Sequence, residues 1–95
     1  MLRLLYAFRR LGWHKFHDYE ELSSASGISL STVKRLIAVL EQSNYLFRRY
    51  DPDNPRRRLF RPSKNTVTFT DGYVTYTFSV GLFGDVDVEV SFPDN

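Results

Sequence analysis

The chain has 95 residues, 42% of them apolar and 16% aromatic, which is enough for one domain with a hydrophobic core, with or without an appendage. It contains no cysteine, so a disulfide framework and a cysteine-ligated metal are excluded, and this composition fits a cytoplasmic protein. The apolar run from Leu4 to Phe8 is too short for a membrane span or for the core of a signal peptide.

Charge is distributed very unevenly along the chain. All 13 Lys and Arg residues lie in residues 1–64 together with six acids, so this part has a net charge of +7. Residues 65–95 contain no base and five acids, a net charge of −5. Such an asymmetry predicts one part that contacts a polyanion and another that faces away from it.

Two helices and a sharp turn are predicted first. Apolar residues at helical spacing predict a helix over about residues 2–12. Asp18 and Glu21 have the spacing of a capping box and predict the start of a short second helix, which ends near Ser26. Gly27 follows, and because glycine adopts positive φ without a Cβ clash, it predicts a sharp turn.

A third helix is predicted over residues 30–43, with Ser29 as its N-cap and Asn44 as a left-handed stop. Its apolar stripe consists of Leu30, Val33, Leu36, Ile37 and Leu40. The other side is small, polar and basic, and consists of Ser31, Thr32, Lys34, Arg35 and Ala38. This division predicts one face in the core and one face in solvent or against a partner.

Strands are predicted in the rest of the chain. Residues 45–50 and 56–61 alternate large apolar and basic side chains around the sequence DPDNP, which predicts a β-hairpin with a five-residue loop. Residues 66–92 predict a three-stranded antiparallel meander with an Asp71-Gly72 turn of type I′ and a GLFG turn. We expect this meander to pack on the helical part.

A pattern of hydrophobic and glycine positions runs through the second and third helices at Leu22, Gly27, Ile28, Val33 and Leu36. Together with the basic hairpin, it resembles the winged helix-turn-helix family of transcriptional regulators. Two positions depart from that family: Ser23 stands where alanine is usual, and Asn44 replaces a glycine before the first wing strand. The resemblance covers roughly residues 1–62.

The resemblance implies an α+β fold. Residues 1–64 would form a winged helix-turn-helix domain of three helices and a β-hairpin wing. Outside the resemblance, the strand pattern of residues 65–95 predicts an acidic β-meander extension packed on that domain, and these residues match no family pattern.

The resemblance also implies sequence-specific binding of double-stranded DNA, in transcription regulation. The third helix would enter the major groove, with Ser31, Thr32 and Arg35 nearest the base edges and Lys34 on phosphate. Wing arginines would contact phosphate or the minor groove. Because side chains along a strand alternate between its two faces, only some of these arginines can make that contact. The candidates are Arg48, Arg49, Arg56, Arg57, Arg58 and Arg61, and those nearest the loop, Arg49, Arg56, Arg57 and Arg58, are favoured.

Other functions stay open at this point. A winged domain can instead be a protein–protein interaction module in a replication or transcription assembly. Basic ribbons also occur simply as solvated edge strands. The meander of residues 66–92 predicts a homodimer contact, and the apolar Leu82 and Phe83 of its GLFG turn predict either a core position or a dimer or partner contact.

Catalytic and metal sites are not predicted. The chain has no Gly-rich phosphate loop and no Ser, His and Asp set at a recognisable spacing, so we expect no enzyme. His14 and His17 do not complete a zinc shell, because the chain has no further His and no Cys, and Asp18 is needed as a helix cap. The carboxylates of Asp85, Asp87 and Glu89 alternate with valines, which predicts a solvated strand face rather than a cation site. No metal, other cofactor or small-molecule ligand is therefore expected.

Overall fold

A computed structural model describes residues 1–93 and contains three helices and two small antiparallel sheets, so the predicted α+β class is confirmed. The elements are α1 (Leu2–Gly12), α2 (Tyr19–Ser26), α3 (Leu30–Gln42), β1 (Leu46–Asp51), β2 (Asn54–Pro62), β3 (Thr66–Asp71), β4 (Val74–Val80) and β5 (Val86–Ser91). The chain divides into two compact units, Met1–Ser63 and Lys64–Asn95. Asp94, one of the acids counted above, lies outside the described residues. Within residues 1–93, no helix has the length and apolar character needed to cross a bilayer.

The second helix begins and ends at the predicted residues. Oδ1 of Asp18 accepts a 2.8 Å hydrogen bond from the backbone N–H of Glu21, which confirms the N-cap. Gly27 has a φ of 70°, and its N–H donates to the carbonyl of Ser23 at 2.9 Å. Glycine adopts this left-handed conformation without strain, so the chain turns at once toward α3.

The third helix has one buried and one exposed side. Val33, Ile37 and Leu40 are at most 2% exposed and form the apolar stripe that the spacing predicts. Leu30 was expected in this stripe, but it is 38% exposed because it lies in the first turn, at the outer end of the helix. Asn44 has a φ of 60° and provides the predicted left-handed stop after the helix.

The hairpin of β1 and β2 has a tighter turn than the sequence predicts. Its loop is residues 52–53 rather than the five residues 51–55, and Pro55 belongs to β2. The side chains of Asp51 and Asn54 each accept a hydrogen bond from the backbone N–H two residues further along, at 2.9 and 3.2 Å. These Asx turns form the reversal, and a register shift just before Asp51 accommodates the proline, which lacks an N–H.

A backbone bridge connects the segment before α2 to the hairpin. His17 and Phe60 exchange two backbone hydrogen bonds of 2.8 Å. The ring of Phe60 is fully buried and its centroid lies 5.0 Å from that of Tyr19. The imidazole of His17 is also buried, with Nε2 2.8 Å from the carbonyl oxygen of Gly12 and Nδ1 3.3 Å from a carboxylate oxygen of Glu21. The base of the hairpin is thereby fixed to the helices.

The second unit is the predicted three-stranded antiparallel meander, in the order β3-β4-β5. Its turn between β3 and β4 lies one residue later than predicted, because Asp71 pairs with Val74 and the central residues are Gly72 and Tyr73. Of these two only Gly72, at φ 63°, has a positive φ, which indicates a type II′ turn instead of type I′. In the GLFG turn, Leu82 and Phe83 are each 97% exposed, so neither belongs to the core.

Candidate nucleic-acid interface

The exposed side of α3 carries a stripe of small, polar and basic residues. Ser31, Arg35, Ala38 and Gln42 recur at intervals of four, three and four residues, and all four are exposed. Because such residues lie one above another on a helix, they form a single surface opposite the buried stripe. Gln42, at the end of the helix, extends this surface by about one turn beyond Ala38, the last residue of the predicted outward face.

The two other predicted contacts on α3 have partners within the first unit. Thr32 is half-buried, and its Oγ1 accepts a 2.9 Å hydrogen bond from Oγ of Ser29, the N-cap. Lys34 is exposed, and its Nζ lies 5.5 Å from the ring centroid of Tyr19. Thr32 is therefore part of the cap, whereas Lys34 projects from the side of α3 that faces the hairpin.

A groove of about 520 Å³ lies between α3, the start of α2 and the tip of the hairpin. It is lined by Asp18, Tyr19, Glu20, Lys34, Asn54, Arg56, Arg57 and Arg58. Four of these side chains are basic and two are acidic, so the groove has a net positive charge. Its position beside the exposed stripe of α3 places cations from two separate elements next to one another.

The hairpin arginines divide between the two faces of the ribbon, as strand alternation requires. Arg49 and Arg61 share one face, whereas Arg48 and Arg58 share the other. The guanidinium groups of Arg49 and Arg61 lie 4.3 and 5.5 Å from the ring centroid of Phe16. Nε of Arg48 lies 3.5 Å from a carboxylate oxygen at the end of α3. Arg48, Arg49 and Arg61 thus each have an aromatic or acidic neighbour in the same unit.

Arg57 is the centre of an ion-pair cluster. Its Nε, Nη1 and Nη2 donate to carboxylate oxygens of Asp18, Asp51 and Glu21 at 2.6, 2.9 and 2.8 Å. These hydrogen bonds hold the pKa of Asp51 below its usual value and raise the pKa of the Arg57 guanidinium. Since three guanidinium nitrogens are occupied, Arg57 connects the hairpin to the start of α2 instead of pointing a free cation outward.

Arg56 and Arg58, on either side of Arg57, have a different environment. Both are exposed and both line the groove. In the described part of the chain, neither forms an ion pair or a ring contact. Of the six hairpin arginines, these two are the ones whose charge is not taken up by a neighbouring side chain.

Two features of the site were not predicted from the sequence. The ring of Phe16, between α1 and α2, contacts the guanidinium groups of Arg49 and Arg61. The only sequence signal for this contact was the presence of an aromatic residue in a short linker. Arg3 of α1 lies beside the turn into α3, with Nη2 2.8 Å from the position that a Cβ on Gly27 would occupy. Apolar periodicity places Arg3 on the outer side of α1, but it carries no information about neighbouring helices.

We expect acid to weaken the attachment of the hairpin through the Arg57 cluster. The pKa of Asp51 is lowered in the folded chain, so its carboxylate stabilises the fold above its ordinary pKa of about 4. That contribution is lost as the pH falls from this value through the lowered pKa. Thermal unfolding followed from neutral to strongly acidic pH should show a melting temperature that falls less in Arg57→Gln than in the wild type.

Arg61→Gln is the matched control, because it removes a guanidinium that lies over the rings of Phe16 and Phe47 instead of between carboxylates. It should keep the acid dependence of the wild type. If Arg57→Gln has that same acid dependence, the cluster does not stabilise the hairpin.

Comparison with family models, curated proteins and solved structures gives no match to this chain.

Proposed function

We propose that residues 1–63 bind double-stranded DNA as a winged helix-turn-helix domain, with α3 as the recognition helix and the hairpin as the wing. The observation that supports this most strongly is the combination of an exposed stripe on α3 with two unpaired arginines, Arg56 and Arg58, that line an adjacent groove. A surface of this kind has cations for phosphate and hydrogen-bonding groups for bases on neighbouring elements.

In this proposal the exposed stripe of α3 contacts the base edges in the major groove. Arg35 suits a guanine, because a guanidinium donates two parallel hydrogen bonds to O6 and N7. Ser31 donates or accepts a single hydrogen bond and therefore discriminates less. Ala38 has a small side chain, which allows the helix backbone to approach the bases closely. Specific contacts of this type suit a protein that regulates transcription at defined sites.

The hairpin arginines have separate roles in the proposal. Arg56 and Arg58 contact phosphates from the wing, together with Lys34 from the opposite wall of the groove. Arg57 is assigned to the scaffold and not to the DNA contact, since its guanidinium already binds three carboxylates. Arg49 and Arg61 support the ribbon through Phe16. Electrostatics also favour the first unit as the DNA contact, because residues 65–95 have a net charge of −5.

The test is a fluorescence anisotropy titration of a short duplex at several salt concentrations. The logarithm of the association constant should fall linearly with the logarithm of salt concentration, because binding to phosphates releases counterions. Changing Arg56 and Arg58 together to Ala should reduce the slope by about two units, roughly one for each arginine that no longer neutralises a phosphate.

The double variant Arg49→Ala with Arg61→Ala removes the same charge from side chains that lie over the ring of Phe16, and it should reduce the slope by less. Wild-type protein that does not bind duplex at low salt would rule out the proposal and favour a protein–protein interaction module. If the two double variants have equal slopes, Arg56 and Arg58 are not the specific phosphate contacts.

A further inference from the structure

The two edge strands of the second unit differ in how they are protected. The sheet order β3-β4-β5 leaves one side of β3 and one side of β5 without a strand partner among residues 64–93. On β5, Asp87 and Glu89 are exposed carboxylates, so two such strands placed side by side would repel one another. Residues 66–70 of β3, with the sequence TVTFT, carry no charge and no proline. Natural sheets usually protect a free edge with a charged residue or a proline, and residues 66–70 have neither.

The polar and apolar pattern of residues 66–70 is also symmetric about Thr68, the middle of these five residues. Polar and apolar side chains alternate in the same order when the strand is read in either direction from Thr68. In an antiparallel pair centred there, Thr66 of one copy lies opposite Thr70 of the other, and Val67 lies opposite Phe69. Both faces of the sheet would therefore continue across the junction without a polar residue opposite an apolar one.

We propose that β3 pairs with β3 of a second copy around a two-fold axis at Thr68, so that two meanders form one six-stranded antiparallel sheet. The contacts required already occur inside the unit. Threonine and serine hydroxyls lie 3.3 to 3.4 Å apart across the β3–β4 pair in three successive rows. The pairing of Val67 with Phe69 would join the apolar faces, and pairs of β-branched and aromatic residues stabilise sheets.

A dimer is favoured over an open-ended chain of paired sheets, because the β3–β3 contact leaves no free β3 edge for a third copy. Pairing around a two-fold axis uses the free edges of both β3 strands at once, since β4 occupies the other side of each. The outer edges of the six-stranded sheet would then be the two β5 strands, whose carboxylates oppose further addition. Asp71, at the end of β3, would lie opposite Asn65 of the other copy, so no like charges meet at the junction.

Sedimentation velocity tests the dimer without DNA, so its outcome is independent of the proposed DNA binding. Wild-type protein at about 100 µM should sediment as a dimer, since even a weak contact is populated at this concentration. Changing Thr66 and Thr70 to Lys places two pairs of like charges directly opposite across the axis, and association should weaken by at least about tenfold. The same positions changed to Glu should also give monomer.

Mixing the Lys and Glu variants in equal amounts should restore a dimer, because every like-charge pair becomes an opposite-charge pair. This rescue distinguishes a loss of pairing from a loss of folding, since an unfolded strand cannot be rescued by a charge on another chain. The control changes Asp87 and Ser91 of β5 to Lys, with the same spacing on the other edge, and should remain dimeric. Wild type that is monomeric at about 100 µM, or a mixture that stays monomeric, would overturn the proposal.

Discussion

Arg35→Ala should weaken binding to a duplex selected from a random library by about 5- to 150-fold, which corresponds to about 1–3 kcal/mol. The reason is geometric. Arg35 is exposed in the middle of the outward stripe of α3, where a guanidinium can donate two hydrogen bonds to one guanine. Affinity for an unselected duplex should fall much less, because only one positive charge is removed. Competition titrations with both duplexes at one fixed salt concentration measure the two effects together.

Two variants separate charge from hydrogen-bond geometry. Arg35→Lys keeps the charge but removes the planar fork, so it should keep affinity for unselected duplex and still lose preference for the selected one. Lys34→Ala is the neighbouring control and should weaken both duplexes by similar factors, as expected for a phosphate contact. If Arg35→Ala weakens both duplexes equally, Arg35 contacts the backbone and not the bases.

Local signals in the sequence were sufficient for most of the helical part. Asp18 and Ser29 cap α2 and α3, and Gly27 and Asn44 take the left-handed conformation expected of them. Each of these predictions depends on residues within one turn of one another, where the backbone hydrogen bonds that need partners are fixed by the chain itself. Periodicity then identified Val33, Ile37 and Leu40 as buried residues of α3, because residues three or four apart lie on the same face of a helix.

Predictions about the turns were less accurate because side chains can replace backbone hydrogen bonds. In the hairpin, proline was expected to exclude residues 51–55 from the strands. The side chains of Asp51 and Asn54 instead accept hydrogen bonds from backbone N–H groups and allow a two-residue loop. In the meander, Gly72 correctly predicted that a turn occurs. It did not predict which two residues are central in that turn, because this depends on the pairing of β3 with β4.

The partners of the hairpin arginines could not be deduced from the sequence, because they depend on contacts between distant segments. Arg57 binds Asp18 and Glu21, which are 39 and 36 residues earlier in the chain. In the sequence, Arg56, Arg57 and Arg58 are three equivalent bases. Three neighbouring acids make the middle one a structural residue, while the outer two keep a free charge. A count of positive charges therefore overestimates the number available to bind phosphate.

Phe60→Ala should lower the free energy of unfolding of the first unit by about 3–5 kcal/mol. Phe60 is fully buried, its ring packs against Tyr19, and its backbone forms the bridge to His17. A domain of this size has a total stability of only about 3–9 kcal/mol. Removing the ring leaves a cavity where the hairpin meets the helices, so much of the variant should be unfolded at 37 °C. Urea denaturation followed by circular dichroism measures the decrease.

Phe47→Ala is the matched control, because it deletes the same side chain from the same ribbon at a position that is 49% exposed. The ring centroid of Phe47 lies 5.0 Å from the guanidinium of Arg61, an interaction worth about 0.5–1 kcal/mol at an exposed site. Removing this ring should therefore cost about 1 kcal/mol, several times less than removing the ring of Phe60. Similar costs for the two variants would mean that the hairpin is not anchored through Phe60, and the groove between α3 and the hairpin tip would then lack a rigid wall.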